Sequence, residues 1–357
     1  MRFDTNTVRA AVMAAGTAAM VTGAQAADFR LTIISGNAPA FTPIGAAIDA
    51  YIPAVDKAVA AAGHKINWVQ GFSGQIVKVR EELEGVETGL GDVGVIPRAF
   101  YQDKLSLVQI GYVTPFTSSD VEVVTEAMNR LFATFPEMGR QSERFNQIIL
   151  KISGVADDYG LWAKRDIKRF DDLKGMKVGA VGANQPWVTA AGASPVAVEL
   201  ATSYNALKSG VFEAIVLWQQ AMAGFKFCEV APYRLDTRFG AISNTMITVN
   251  KNSWAKLPAP VQTALRSATD AWATTNDKRL KEGAVKGAEL CEKTYNQKTN
   301  ALSDADRRKW AFALPNVAKA WAKRQDDAGT PGTKILTAFM DFMRDKKQPV
   351  VRNWDKE

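Results

Sequence analysis

The chain has 357 residues, with 44 Lys and Arg against 37 Asp and Glu, one His and two Cys. One histidine and two distant cysteines exclude a typical zinc site, which draws on three or four such ligands, and no cofactor or metal is expected. The net charge of +7 is spread without any block of like sign, the pattern of a solvated basic surface, so nucleic acid is not an expected partner.

The N-terminus carries Arg2 and Arg9 ahead of an apolar stretch from Ala10 to Val21, and Ala24-Gln25-Ala26 supplies small residues at cleavage positions. This reads as a secretory signal peptide over residues 1–26. The stretch falls short of the ~20 residues that span a bilayer. Export to the periplasm of a Gram-negative bacterium is the expectation. Losing Arg2, Arg9 and Asp4 takes away a net +1 and leaves +6. In an oxidising compartment Cys228 and Cys291 can form one disulfide or remain two separate buried thiols.

Strand-like and helical patterns alternate through most of the mature chain. Phe29–Ile34 reads as a strand that ends in the turn Ser35-Gly36-Asn37. Ile44, Ile48, Ile52, Val55 and Val59 mark one face of a helix, and Pro53 should kink or interrupt it. Ile66–Val69 follows as a strand, Gln75–Leu90 as a helix and Asp92–Ile96 as a buried strand. This order predicts a parallel sheet covered by helices. Ser118-Ser119-Asp120 marks a helix start, and Ile148–Ile152 a strand leaving the first lobe. A second alternating unit has strands at Met176–Ala180 and Ala214–Leu217 with helices around Val188–Gly192 and Ala201–Ser209, and Thr245–Val249 returns to the first lobe. Pro260 to Gln297 reads as one helix of ~37 residues, ~55 Å at 1.5 Å per residue, enough to cross two lobes. The tail from Ala318 to Met343 is helical and interrupted at Gly329-Thr330-Pro331-Gly332.

Catalytic signatures are weak. Gly89-Leu90-Gly91-Asp92-Val93-Gly94 spells G-x-G-x-x-G, but it closes a helix and enters a strand, the reverse of what a dinucleotide needs. Gly71-Phe72-Ser73-Gly74-Gln75 misses the last glycine of a nucleophile elbow. His64 follows Gly63 at a helix end and supports no triad, and the pairs Asp157-Asp158 and Asp171-Asp172 show no pattern that would shift their pKa.

Six blocks in order resemble the solute receptors of tripartite ATP-independent periplasmic (TRAP) transporters, in the dicarboxylate-receptor-like family. They are Gln75 to Asp92, Val113-Thr114-Pro115-Phe116, Phe170 to Val178 (FDDLKGMKV), Gly192 to Val196, Tyr204 to Gly210 (YNALKSG) and Val249 to Leu265 (VNKNSWAKLPAPVQTAL). The resemblance implies an α/β, two-lobed periplasmic-binding-protein clamp with hinge strands and a long helix spanning both lobes. Residues 27–156 and 242–280 are expected to form lobe I, and 157–241 and 281–357 lobe II, with hinges near Ala156 and Ile242. It implies a receptor, not an enzyme, that acts as a monomer, closes on a small organic acid and delivers it to the TRAP membrane permease. A sensory receptor and a periplasmic enzyme on the same scaffold are the alternatives.

The departures fall on the ligand-gripping positions. Where the family places an arginine after its L-K-G-x-K-I block, this chain has Gly179, and Trp162 stands where a second arginine is usual. This puts simple C4-dicarboxylate binding in doubt. Trp162, Trp187 and Trp218, joined by Phe72 and Tyr159, are expected to form an aromatic pocket suited to a ring or an apolar body. As a pocket wall, Trp187 should be removable with little loss of stability. Arg98, just after a strand, is the expected carboxylate grip, and Asn37, Gln75 and Gln219 are the polar candidates for orienting the ligand. The plain alternatives are core packing for the tryptophans and an ion pair for Arg98.

Overall fold

A computed structural model describes residues 27–357; the expected signal peptide lies outside the described residues. Nine strands form one hydrogen-bonded sheet: β1 Asp28–Ile34, β2 Lys65–Gly71, β3 Val93–Pro97, β4 Gln147–Ala163, β5 Lys177–Ala180, β6 Ser194–Ala197, β7 Ala214–Trp218, β8 Tyr233–Asn250 and β9 Lys298–Ala301. Their order is β2-β1-β3-β8-β4-β7-β5-β6, with β9 beside β8. β1 pairs in parallel with β2 and β3, and β5 in parallel with β6 and β7. Each trio forms the sheet of one lobe.

β4 and β8, of 17 and 18 residues, belong to both lobes. They pair antiparallel from Gln147 with Asn250 to Ala163 with Tyr233. Sequence reading caught only their first-lobe ends, because their middles carry Asp, Gly and Arg that weaken a strand pattern. Ala156 faces Ile242, and the register slips between Ala156 and Tyr159 and again between Tyr159 and Leu161. A bulge leaves backbone unpaired and bends the strand, so the ladder is weakest where it passes between the lobes.

Pro53 does not break its helix. The turn Ala47–Tyr51 widens to π geometry between Thr42–Ala46 and Ile52–Ala61, and the Ile52 N–H bonds to Ala47 O. The wider turn accommodates the missing proline donor. The helix expected over Gln75–Leu90 shrinks to Glu82–Glu87. Its first half wraps the end of β1: a Cβ on Gly36 would lie 2.2 Å from Val79 N, and Arg80 takes φ +76°. Ser118-Ser119-Asp120 does start a helix, Val121–Thr134, with Asp120 Oδ1 accepting the N–H groups of Glu122 and Val123.

The long helix divides at Ala268 into Ala259–Ser267 and Thr269–Tyr295. The second piece, 27 residues, spans about 40 Å. Near its start Trp272 Nε1 donates to Pro43 O at 2.9 Å in the first lobe. Near its end Gly287 packs on Ala223 in the second, and Cys291 is bonded to Cys228, with Cα atoms 5.4 Å apart.

Beyond it, the helices Asp304–Ala313, Val317–Asp327 and Gly332–Asp345 are fixed by indoles donating to backbone carbonyls. Trp310 bonds to Trp187 O, Trp321 to Ser106 O and Trp354 to Pro115 O, each at 2.8 Å. The last two helices therefore lie against the first lobe, around residues 106–134, rather than with the second lobe to which sequence reading assigned residues 281–357.

Cys228 and Cys291 are 63 residues apart, and closing a loop of that length removes denatured-state entropy worth about 4 kcal/mol. Replacing both by Ser should lower unfolding stability by a comparable amount in urea titrations of the oxidised protein. An unchanged midpoint would mean that the cross-link adds nothing.

Candidate functional site: the cleft between the lobes

In an open α/β sheet the segments beyond the carboxyl ends of the strands form the binding crevice. Here those segments meet across the lobes. Phe41, after β1, packs edge-on against Trp218 at the end of β7, with ring centres 6.1 Å apart. Tyr159 sits between Trp218 and Trp187, 5.6 and 5.9 Å from them. Trp187 reaches the first lobe by donating to Tyr112 O at 3.1 Å. Arg80 pairs with Glu199 across the mouth at 2.8 Å. Such an exposed pair adds little stability, but it can hold the two edges in register.

The first-lobe rim is organised by Glu82, which is fully buried. Its carboxylate accepts from Gly36 N, Asn37 Nδ2, Arg80 N and Tyr101 Oη. Burial pushes its pKa up and these donors oppose the shift. Asn37 therefore lies in the wall, bonded to Glu82 at 3.4 Å, with its carbonyl taking the Ser73 N–H. Phe72 is buried beside it, whereas Gln75 is exposed.

Arg98 follows β3 in the turn Arg98–Phe100 and is fully buried. Nη1 donates to Val108 O, and Nη2 to Ser243 O and Oγ, at 2.5–2.6 Å. Nε has no partner. Among the described residues no carboxylate pairs with this guanidinium, and burial lowers its pKa to about 10. Its fork is thus spent on backbone at the β8 crossing. The turn packs against Gly182–Asn184 of the second lobe. There Asn184, also fully buried, has neither Oδ1 nor Nδ2 satisfied. Sequence reading missed Asn184, although its place just after β5 was the available signal.

The other candidates divide. Trp162 Nε1 donates to Gln297 Oε1 at 3.2 Å and its ring stacks under Arg234, inside the second lobe. At Gly179 a Cβ would lie 2.9 Å from Phe212 and 3.0 Å from Val198, so neighbours fill the space an arginine would need. Trp187 is fully buried, 4.9 Å from Phe239, and its carbonyl holds Trp310. Against the expectation of a dispensable wall, Trp187→Ala should cost about 3–5 kcal/mol of stability, visible in denaturant unfolding.

Gln219 lies apart from the aromatic row, in an open cavity of about 740 Å³ shared with Asp157 and Asp158, at the register slip of β4, and with the long helix. Its amide oxygen and nitrogen are both unpartnered. Burial raises Asp157 to about 8 and Asp158 to about 6 from 3.8. A carboxyl whose pKa rises on folding stabilises the fold below pH 3.8, and that contribution is lost as pH climbs through the folded value. Asp157→Asn should therefore raise stability by a few kcal/mol near pH 8 and change it little near pH 4. Thermal melts across that range decide it, and a pH-independent effect would refute the assignment.

Residues 61–325 match the model of the bacterial extracellular solute-binding protein family 7. The chain belongs to this family. A solute-binding protein of Sulfitobacter sp. strain NAS-14.1 is 30% identical over 135 residues, 37% of this chain and 41% of that relative, so the match spans about two fifths of the relative's length. The fold is that of TRAP periplasmic solute-binding proteins. One from Desulfovibrio salexigens superposes with TM-score 0.75 at 20% identity, covering 89% of this chain and 96% of that one. One from Bordetella bronchiseptica with bound mandelate gives 0.75 at 18% identity, covering 89% and 99%. A Bordetella pertussis receptor binding pyroglutamic acid gives 0.74 at 17%, covering 87% and 99%. These family 7 proteins are receptors, not enzymes. No helix of the described residues is long and apolar enough to cross a membrane, and no group of three or more metal-ligating side chains occurs among them.

Proposed function

We propose that this family 7 protein is the solute-capturing subunit of a TRAP transporter, exported to the periplasm by residues 1–26. Its ligand is a small organic acid with an aromatic or apolar body, held between the lobes and passed to the membrane permease.

The observation that carries this reading is Arg98. A buried cation without a carboxylate partner is costly, and an anion bound beside it would supply the missing charge. Nε of Arg98 and the amide of Asn184 are the open polar groups on the two sides of the closure. The row Phe41–Trp218–Tyr159–Trp187 gives such an anion an apolar wall. Relatives of the same fold bind acids of this size, among them mandelate and pyroglutamate. With no arginine at 162 or 179, a two-armed grip on a dicarboxylate has lost both family anchors, which favours a single carboxylate. Bending at the slipped register beside Ala156 and Ile242 opens and closes the cleft.

A thermal-shift screen of the mature protein tests this, with each aromatic or branched acid run beside its neutral amide. Acids should raise the melting temperature by mass action, and their amides should not. Asn184→Ala should weaken the best acid about tenfold, the worth of one hydrogen bond to a charged group, without lowering the ligand-free melting temperature. Equal shifts by acid and amide would reject an anion site.

A further inference from the structure

The hinge cavity has a composition of its own. Asp157 and Asp158 enter it from β4, Gln219 from the start of the helix Gln219–Gly224, Ser119 to Glu122 from the first-lobe helix start, Arg234 from β8, and Lys281 from the long helix. The charges around its edge are already compensated. Lys281 pairs with Glu122 and Arg234 Nη2 with Asp236, leaving Arg234 Nε without a partner, while Asp120 caps its helix through Glu122 and Val123.

Asp157 and Asp158 are not compensated in this way. Asp157 Oδ2 accepts the Gln220 N–H at 3.1 Å, and its Oδ1 has no partner. Asp158 Oδ1 accepts the Gly240 N–H at 2.9 Å and its carboxyl takes a further hydrogen bond from the Ser119 side chain, while Arg234 favours the charged form of both carboxyls from beyond ion-pair distance. Gln219 is 6% exposed and lines the same cavity with both amide atoms unsatisfied. The opposite wall is apolar, formed by Ala284, Val285 and Ala288 of the long helix. Two carboxyls and an amide oxygen match the three donors of a primary ammonium, and the alanine and valine face suits a short alkyl chain. The site has too few ligating groups for a typical protein-bound divalent cation.

We propose that this cavity is a second binding site, separate from the acid site, for a small primary alkylammonium ion that bridges the hinge strand and the two lobes. The ion's charge replaces the proton that burial otherwise holds on Asp157. Binding should therefore strengthen as pH rises and Asp157 ionises more readily.

The test is calorimetric titration of the mature protein with n-butylammonium chloride, with ionic strength held constant by sodium chloride. Saturable one-site binding is expected at pH 8.5, at least about tenfold weaker at pH 5.5, where both carboxyls hold protons. Asp157→Asn should lose the same factor at pH 8.5, and a saturating organic acid should not displace n-butylammonium from the unmodified protein, which separates this site from the cleft. The Asn side chain mimics the neutral acid, so the variant should fold; the pH comparison on the unmodified protein stands without it. Absence of saturable heat at pH 8.5, equal affinity at both pH values, or undiminished binding by Asp157→Asn would each overturn the proposal.

Discussion

The pairing of β4 with β8 is the constraint on which everything else hangs. Two long antiparallel strands run through both halves of the molecule, and each half adds its own parallel trio to one end. A ladder of backbone hydrogen bonds resists stretching and shear but bends where its register slips. Two of the three slips flank Tyr159, with Asp157 and Asp158 inside the first of these, and the third lies at Ile149–Lys151. The place where the lobes can move is therefore also the place where the aromatic row begins and where buried carboxyls collect.

Buried polar groups sort the candidate residues better than aromaticity does. Glu82 is buried and satisfied four times over, so it builds the rim. Arg98 is buried with its fork on backbone and its charge unanswered. Asn184 and Gln219 are buried with nothing satisfied. An interior group that keeps its desolvation cost without a partner is the usual sign of a place meant to be filled, by water or by a ligand. By this measure the tryptophans are mostly architecture: Trp187, Trp310, Trp321 and Trp354 each tie together segments far apart in sequence through the indole N–H.

The sequence made the architecture legible because it lies in local patterns. The strand–helix alternation, the Asp120 cap and the long helix all leave periodic or capping signals within a few residues. The shortened helix at Glu82 was hidden because its loss depends on Gly36, some forty residues away, coming against Val79. The tail was assigned to the wrong half because amphipathicity shows that a helix packs without showing on what. The ligand-gripping positions were the least legible. Reading Gly179 and Trp162 as lost arginines was possible from motif alignment, but whether their space was open depended on Phe212, Val198 and Gln297, which no local pattern connects to them. The disulfide likewise required the distance between two helices to be known.

The disulfide also makes the long helix a lever. Its C-terminal end is covalently fixed to the second half through Cys228, while its N-terminal end meets the first half through noncovalent packing and the Trp272–Pro43 bond. A helix resists bending over this length, so any tilt at the cross-linked end is magnified at the other. From Cys291 to Trp272 the helix runs about 28 Å, so a tilt of roughly 10° carries the far contact about 5 Å, close to one helical turn of 5.4 Å. The contact at Pro43, two residues from Phe41 of the aromatic row, thus lies where a small rotation in the second half becomes a large displacement along the helix.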